Sequence, residues 1–442
     1  MRYFKLLIFV FVIFFLTKIC FLHPTFSDEN FYFNVAKQVT KGDKLYKDFF
    51  FAHPPLQIYA LAFLFTIFGP SFFVGKILSL ILTMLSATLV YLILCELYNE
   101  KVGFAATLVF MITPQFLSFS SMGYGLWETM TLVLFSFYLL VKDKPKIAGI
   151  IFAIGIFFRY IALPYLVILL FFSYLKRKNG RTFFLWFISA TIIFVLVIIF
   201  SFGYSFIFQT ILYHVSSKIA TPLVENKMQY WNIGYFFLFL SFISALIAFE
   251  RKDKILLTLS LMPLGIDLVI LFTFKIIYYH YFLISLAFFS MAIGRALIIN
   301  KESVVKFFIS IILILSILSN IQTIEFYLNP NYAQKYYSMT KYVNNKTFIN
   351  DSIFGEPVAT NYISFVTDRR ISSNYLDSYL RHLVFEGEEK VIEKLKKDKP
   401  KIIIEAENYY LSNPVFKDFI LKNYKLEKVF EGFPKYSIYA LR

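Results

Sequence analysis

Charge is what this sequence has least of: Asp, Glu, Lys and Arg make up 16% of its 442 residues, against 58% hydrophobic and 21% aromatic. With a mean hydropathy of +0.65, it carries more apolar surface than a soluble core of this length could bury, which excludes an ordinary water-soluble enzyme and leaves a polytopic membrane protein. Cysteine is nearly missing too. Cys20 and Cys95 lie in or beside apolar runs, which excludes a disulfide framework and a thiolate metal site. No small-residue cleavage site follows the first apolar run, so that run is expected to stay in place as a helix. Acid is the minority charge, and the formal net charge is +16. The Lys and Arg residues sit in short clusters between apolar runs, where they act as topology signals, so no nucleic-acid partner is expected.

A bilayer core of about 30 Å asks for about 20 apolar residues per spanning helix. Eleven candidates meet or approach that length: Leu6–Leu22, Phe72–Leu94, Val102–Leu117, Leu126–Val141, Ile147–Ile161, Leu163–Leu175, Phe183–Phe202, Ile233–Phe249, Ile255–Phe274, Tyr281–Ile298 and Val304–Leu318. The fifth and sixth are short, and Pro164 marks a break that would equally suit a re-entrant pair. With a cytoplasmic N-terminus, "KDKPK", "KRKNGR", "ERKDK" and "NKESVVK" all fall on the inner side, as the positive-inside rule requires. The same count puts Phe26–Pro70, Gly203–Asn232, the link around Lys275–His280 and everything after Asn320 outside.

The expected architecture is a transmembrane domain over 1–320, with its first outer loop at 23–70, and a soluble extracytoplasmic α/β domain over 321–442. In the latter, "DSIFG", "KIIIE" and the closing "KLEKVFEGFPKYSIYAL" have strand character, the last as a hairpin. "EGEEKVIEKLKKDKP" is an amphipathic helix ended by Pro400. In the first outer loop, Phe31, Val35 and Val39, then Leu56, Tyr59, Ala60 and Phe63, have helical spacing. Two interfacial amphipathic helices would bury those faces and turn their polar sides to water. The Pro54-Pro55 pair should start the second helix and hold His53 just before it.

Ionisable residues at the outer level carry the functional reading. Asp28 and Glu29 stand where the first span ends; a solvated helix start favoured by the helix dipole is the plain alternative. Adjacent helical residues point about 100° apart, so at most one of the two faces a given reacting group, whereas Asp28 and Tyr32 share a face. Glu128 begins the fourth span, Arg159 ends the fifth, and Lys275 and His280 lie between the ninth and tenth. Arg159 and Lys275 would otherwise snorkel to headgroups, and His280 in "YYHYF" would otherwise belong to an aromatic belt. Asp267, deeper in the ninth span, is expected to pair within the bundle.

An acid facing cations at an outer leaflet suits transfer of a sugar from a lipid phosphate. The acid takes the proton of an acceptor hydroxyl as that oxygen attacks the anomeric carbon. Arg159, His53, Lys275 and His280 would stabilise the departing phosphate. One-step displacement inverts the anomeric carbon through an oxocarbenium-like transition state. A transporter or lipid flippase is the rival, but the sequence has no internal repeat and its charges gather at one surface. A membrane scaffold leaves the acidic pair without a purpose.

The run "DENFYFNVAKQVTKGDKLYKDFFFAHPPLQIYALAFLFTIFG" resembles the first outer loop of the C-type membrane glycosyltransferases of glycosyltransferase family 39, the family of protein O-mannosyltransferases and lipid A aminoarabinose transferases. The resemblance rests on Asp28-Glu29, Gly42 with Tyr46 and Asp48, His53-Pro54-Pro55 and Phe68-Gly69, and on the order of the first six spans. It implies Asp28 as catalytic base and Glu29 as a supporting acid. His53 stands where relatives often have a Lys that binds the donor phosphate. Glu128 matches the second acidic position, Arg159 a common basic position, and Tyr278–Leu283 a donor-site segment. With Tyr32 and Lys275, these residues form the expected substrate-binding set. The implied partners are a polyprenyl-phosphate-linked sugar donor (dolichyl or undecaprenyl), a protein, lipid or glycan acceptor, and membrane lipids. No metal site is expected, since no cluster has clear ligand spacing; a divalent cation stays open.

Overall fold

The computed structural model describes all of the chain except residues 1, 178, 218–224, 274–278, 300–302, 320, 322–323, 326–328 and 433. It divides into two compact units. One comprises Met1–Leu22, Lys76–Ser201 and Lys218–Leu328; the other comprises His23–Gly75, Phe202–Ser217 and Asn329–Arg442.

The first unit is helical. Phe72–Leu97, which begins in the second unit, Gly180–Phe202, Lys254–Phe272 and His280–Ile299 are long and apolar enough to cross a membrane, and shorter apolar helices include Leu126–Val141 and Pro145–Ile156. The expected span Val102–Leu117 is divided: Glu100–Met111 ends, and Pro114–Phe119 restarts with Thr113 Oγ1 accepting from Phe116 N at 3.2 Å. A proline at the first helical position accounts for the restart, because it has no N–H to continue the previous ladder. The break around Pro164 lies where the sequence placed it, as a 3-10 stretch Tyr160–Tyr165 leading into Leu166–Leu175. Leu283–Ile299 packs closely on Glu100–Met111 at Gly294, where a Cβ would lie 2.4 Å from the Ala106 backbone.

The second unit is built on a five-stranded sheet of β1 (Ser352–Gly355), β2 (Arg370–Ile371), β3 (Ile402–Ala406), β4 (Tyr424–Phe430) and β5 (Tyr436–Leu441). The spatial order is β2-β1-β3-β5-β4, with β2-β1-β3 parallel and β3-β5-β4 antiparallel. The strands β1 and β3, the β4–β5 hairpin and the helix Glu388–Asp398 match the sequence reading; the helices Asn331–Lys346 and Pro357–Thr367 escaped it. Ile353, Ile402, Ile404 and Ile438 form the core with Tyr336 and Ile363 from these helices.

The first outer loop folds as part of this unit. Its helix Glu29–Thr40 lies against Pro357–Thr367, which corrects the expectation that its polar side faces water. Asn30 and Asn34 are fully buried. Asn34 Nδ2 donates to Asn361 Oδ1 at 2.9 Å and Asn30 Nδ2 to the Val358 carbonyl at 3.2 Å. Lys37 Nζ meets the Phe365 carbonyl at 2.5 Å and Asp368 at 2.8 Å. The polar residues at this spacing thus satisfy a protein partner instead of solvent. The second loop helix, Leu56–Phe68, starts directly after Pro55 as expected. It is apolar all round, not amphipathic: Ile58, Leu61 and Phe65 are buried while Tyr59, Phe63 and Ile67 form an exposed stripe.

Candidate active site

The residues singled out in the sequence fall in both units. In the second unit, Asp28 occupies the N-cap position of the Glu29–Thr40 helix, yet its carboxylate caps no backbone N–H. It instead accepts a hydrogen bond from the Tyr379 hydroxyl. Glu29 points elsewhere, fully buried, and accepts from Thr25 Oγ1 at 2.8 Å. The two neighbouring acids therefore have separate surroundings, as the angle between adjacent helical residues requires.

One turn along from Asp28, the Tyr32 hydroxyl lies 3.0 Å from His53 Nε2. The segment carrying His53 is fixed at several points. Tyr46 OH donates to the His53 carbonyl at 2.7 Å, and Gln209 Nε2 donates to the Tyr46 carbonyl at 2.9 Å. Phe51 N donates to Gln209 Oε1 at 2.8 Å, and His214 Nε2 is 2.6 Å from the Ala52 carbonyl. His214 also brings its ring to 5.9 Å from that of His53. The Gln209–His214 contribution comes from the helical segment Tyr204–Ser217, which follows Phe202, and was not anticipated.

Two further acids surround Asp28's partner. Glu356 caps the Pro357–Thr367 helix through Ala359 N at 2.8 Å. Burial pushes its carboxyl up to about 7, opposed by the Ala359 and Val358 amides and reinforced by the charge of Asp28. Such a pair resolves its repulsion when the more buried acid keeps its proton. Asp377 is paired with His382 Nδ1 at 2.5 Å, with both side chains buried. Arg381 Nε donates to His382 Nε2 at 3.2 Å.

In the helical unit the turn 119–128 gathers the other expected residues. Glu128 sits in the first turn of Leu126–Val141, and its Oε2 finds no hydrogen-bond partner among the described residues. Arg159 Nε donates to the Tyr124 carbonyl at 2.7 Å, and the His280 ring lies 5.3 Å from that of Tyr124. Tyr124, which the sequence did not single out, therefore links Arg159 and His280. Asp267 accepts from Ser285 Oγ at 2.5 Å, with Tyr165 OH 2.7 Å from the same hydroxyl, so it is paired within the bundle as expected. Lys275 lies outside the described residues. No group of three or more potential metal ligands occurs among the described residues.

In fold, the chain is similar over nearly its whole length to solved C-type membrane glycosyltransferases. A family model described as dolichyl-phosphate-mannose-protein mannosyltransferase matches residues 52–202, about a third of the chain. The structure of ArnT from Cupriavidus metallidurans bound to undecaprenyl phosphate superposes with a TM-score of 0.71 at 10% identity, over 99% of this chain and 98% of that one. The Archaeoglobus fulgidus oligosaccharyltransferase in complex with Zn and sulfate superposes at 0.57 and 12% identity, over 95% of this chain and 70% of that one. AglB from the same organism, with an inhibitory peptide and a dolichol-phosphate, gives 0.54 at 12% identity, over 95% and 71%. No curated protein matches by sequence. At these identities the likeness is one of fold, and with the long apolar helices among the described residues it fits a multi-pass membrane protein.

Proposed function

We propose that this protein is a glycosyltransferase that moves a sugar from a polyprenyl-phosphate donor to a protein, lipid or glycan acceptor on the outer face of the membrane, with Asp28 as base. The observation that carries this reading is the placement of Asp28: a carboxylate at a helix start, held by a side-chain hydroxyl, one turn from the Tyr32–His53 pair. The shared fold with a protein bound to undecaprenyl phosphate supports a polyprenyl-phosphate donor.

In the proposed step the acceptor oxygen attacks the anomeric carbon while its proton passes to Asp28. The bond from that carbon to the phosphate oxygen breaks, and the electron pair leaves with the polyprenyl phosphate. His53 is assigned to the phosphate, which an imidazole N–H meets by donating a hydrogen bond. In the helical unit, Arg159, His280 and Lys275 are assigned to the donor headgroup, and Glu128 to binding of the sugar. The reaction inverts the anomeric carbon. The N-terminus is then cytoplasmic and the sheet domain extracytoplasmic, in keeping with the basic loops.

The test is consumption of radiolabelled undecaprenyl- and dolichyl-phosphate sugars by the protein in reconstituted vesicles. Wild type should consume at least one donor and invert the anomeric centre, while Asp28→Asn should retain donor binding and lose turnover by about a thousandfold or more. Equal turnover by the two proteins would remove Asp28 from the chemistry, and no consumption of any donor would favour the transporter reading.

A further inference from the structure

Tyr379 lies 351 positions after Asp28, and nothing in the sequence around it, "NYLDSYLRHLVFE", marks it out. Its backbone path is nonetheless closely determined. Ser378 Oγ donates to the Gly355 carbonyl at 2.7 Å, and Tyr410 OH donates to the Ser378 carbonyl at 2.7 Å. On the other side Leu380 N donates to Tyr409 OH at 2.9 Å. The buried Asp377–His382 pair, at 2.5 Å, then ties the two ends of the segment together. The phenol ring itself is flanked by two side chains of its own segment. The Arg381 guanidinium stands over its ring at 5.3 Å and the His382 ring meets it edge-on at 5.7 Å. A side chain held on this many sides delivers its hydroxyl to one place, and that place is Asp28 Oδ1.

We propose that Tyr379 is a positioning residue for Asp28: the sheet domain delivers a hydroxyl that fixes the rotamer of the base and stabilises its charged form, so that this domain is part of the catalytic machinery. This rests on the reading of Asp28 as base. Hydrogen bonding to a carboxylate favours the ionised state. It also removes the rotational freedom that would otherwise have to be lost during the reaction. Burial, followed by the charge of Asp28, holds the Tyr379 phenol well above its ordinary range. The group therefore remains an O–H donor at every pH where the enzyme would work. Ionisable groups near the pair include, among the described residues, Glu356 and Asp377, Arg381 and His382 on the sheet-domain side, and His53 through Tyr32 on the loop side.

Tyr379→Phe keeps the ring under Arg381 and deletes only the donor. Three quantities are read in reconstituted vesicles: donor turnover against pH, using undecaprenyl-phosphate-[14C]mannose; the thermal unfolding midpoint; and labelling of Asp28 by dicyclohexylcarbodiimide, which modifies protonated carboxyl groups, followed by peptide mass spectrometry. The expected result is a loss of about tenfold in kcat with little change in KM. The acid limb of the kcat profile and the pH at which Asp28 becomes labelled should both move upward. A labelling curve that coincides with that of wild type overturns the proposal, and so does a variant that lowers only the unfolding midpoint. The labelling reads the hydrogen bond without substrate, so it decides the matter even if this donor is not consumed. A fully active Asp28→Asn would instead overturn the assignment of the base, whatever the labelling of Tyr379→Phe shows.

Discussion

Glu356 is 5% exposed and its carboxyl is pushed up to about 7 by burial. A carboxyl whose native pKa lies above its unfolded value binds more protons when folded, so stability falls as pH rises from about 4.5 to about 7. Above that window the charged carboxylate is retained at a cost on the order of 3 kcal/mol. Glu356→Gln keeps an oxygen to accept from Ala359 N and removes the charge. It should therefore raise the unfolding midpoint at pH 8 and leave it nearly unchanged at pH 5, measured by thermal melts in detergent at the two pH values. The same gain at both would show that the effect is packing. At this scale the sequence exposed half of the site. Asp28, Tyr32 and His53 stand out because ionisable and hydrogen-bonding residues gather just beyond an apolar segment. Glu356, Asp377 and Tyr379 do not, because each lies in an ordinary-looking soluble stretch, and Tyr379 acquires its role only from Asp28, 351 positions away.

The pairing of helix Glu29–Thr40 with Pro357–Thr367 is a polar seam inside a largely apolar unit, and each of its members depends on the others. Asn361 accepts from Asn34 and donates to the Pro357 and Leu376 carbonyls, both at 2.7 Å. Replacing Asn361 with Leu leaves the buried Asn34 amide without its acceptor, a loss of about 1–3 kcal/mol. Asn34→Leu removes the other partner. The double variant should be less destabilised than the sum of the two single ones, with a coupling energy of about 1 kcal/mol or more in a thermal or denaturant double-mutant cycle. Additive effects would mean that the seam is not cooperative. The helical spacing of Phe31 and Val35 was legible because periodicity is local. The destination of Asn30, Asn34 and Lys37 was not, since a polar stripe satisfied by water and one satisfied by another helix have the same pattern. The same limit applies to Leu56–Phe68: its Pro-Pro start is a local signal, but its exposed Tyr59–Phe63–Ile67 stripe depends on which face the rest of the unit covers.

For the molecule as a whole, hydropathy and the distribution of Lys and Arg sufficed to give a many-helix membrane protein with a small sheet domain, because both properties add up over the chain without reference to tertiary partners. The assembly of the second unit required three-dimensional information: Glu29–Thr40 covers Asn361 and Phe365, and Phe72 meets Phe365 edge-on at 4.7 Å between ring centroids. A soluble fragment beginning after the last span would therefore expose this face. Residues 329–442 produced alone should melt at a lower temperature than the same fragment with the peptide TFSDENFYFNVAKQVTK, Thr25–Lys41, supplied in excess. Binding to the native state alone stabilises by mass action, about 2.7 kcal/mol at a hundredfold excess over Kd. The peptide carrying Asn34→Asp and Lys37→Glu should give a smaller shift, because the first change replaces the amide donor to Asn361 and the second places like charge beside Asp368. Identical melting with and without the wild-type peptide would mean that the sheet domain is complete by itself. A shift would mean that the segment carrying Asp28 folds onto the domain that supplies Tyr379, so a mutation on either side of this seam can alter the proposed base without touching it.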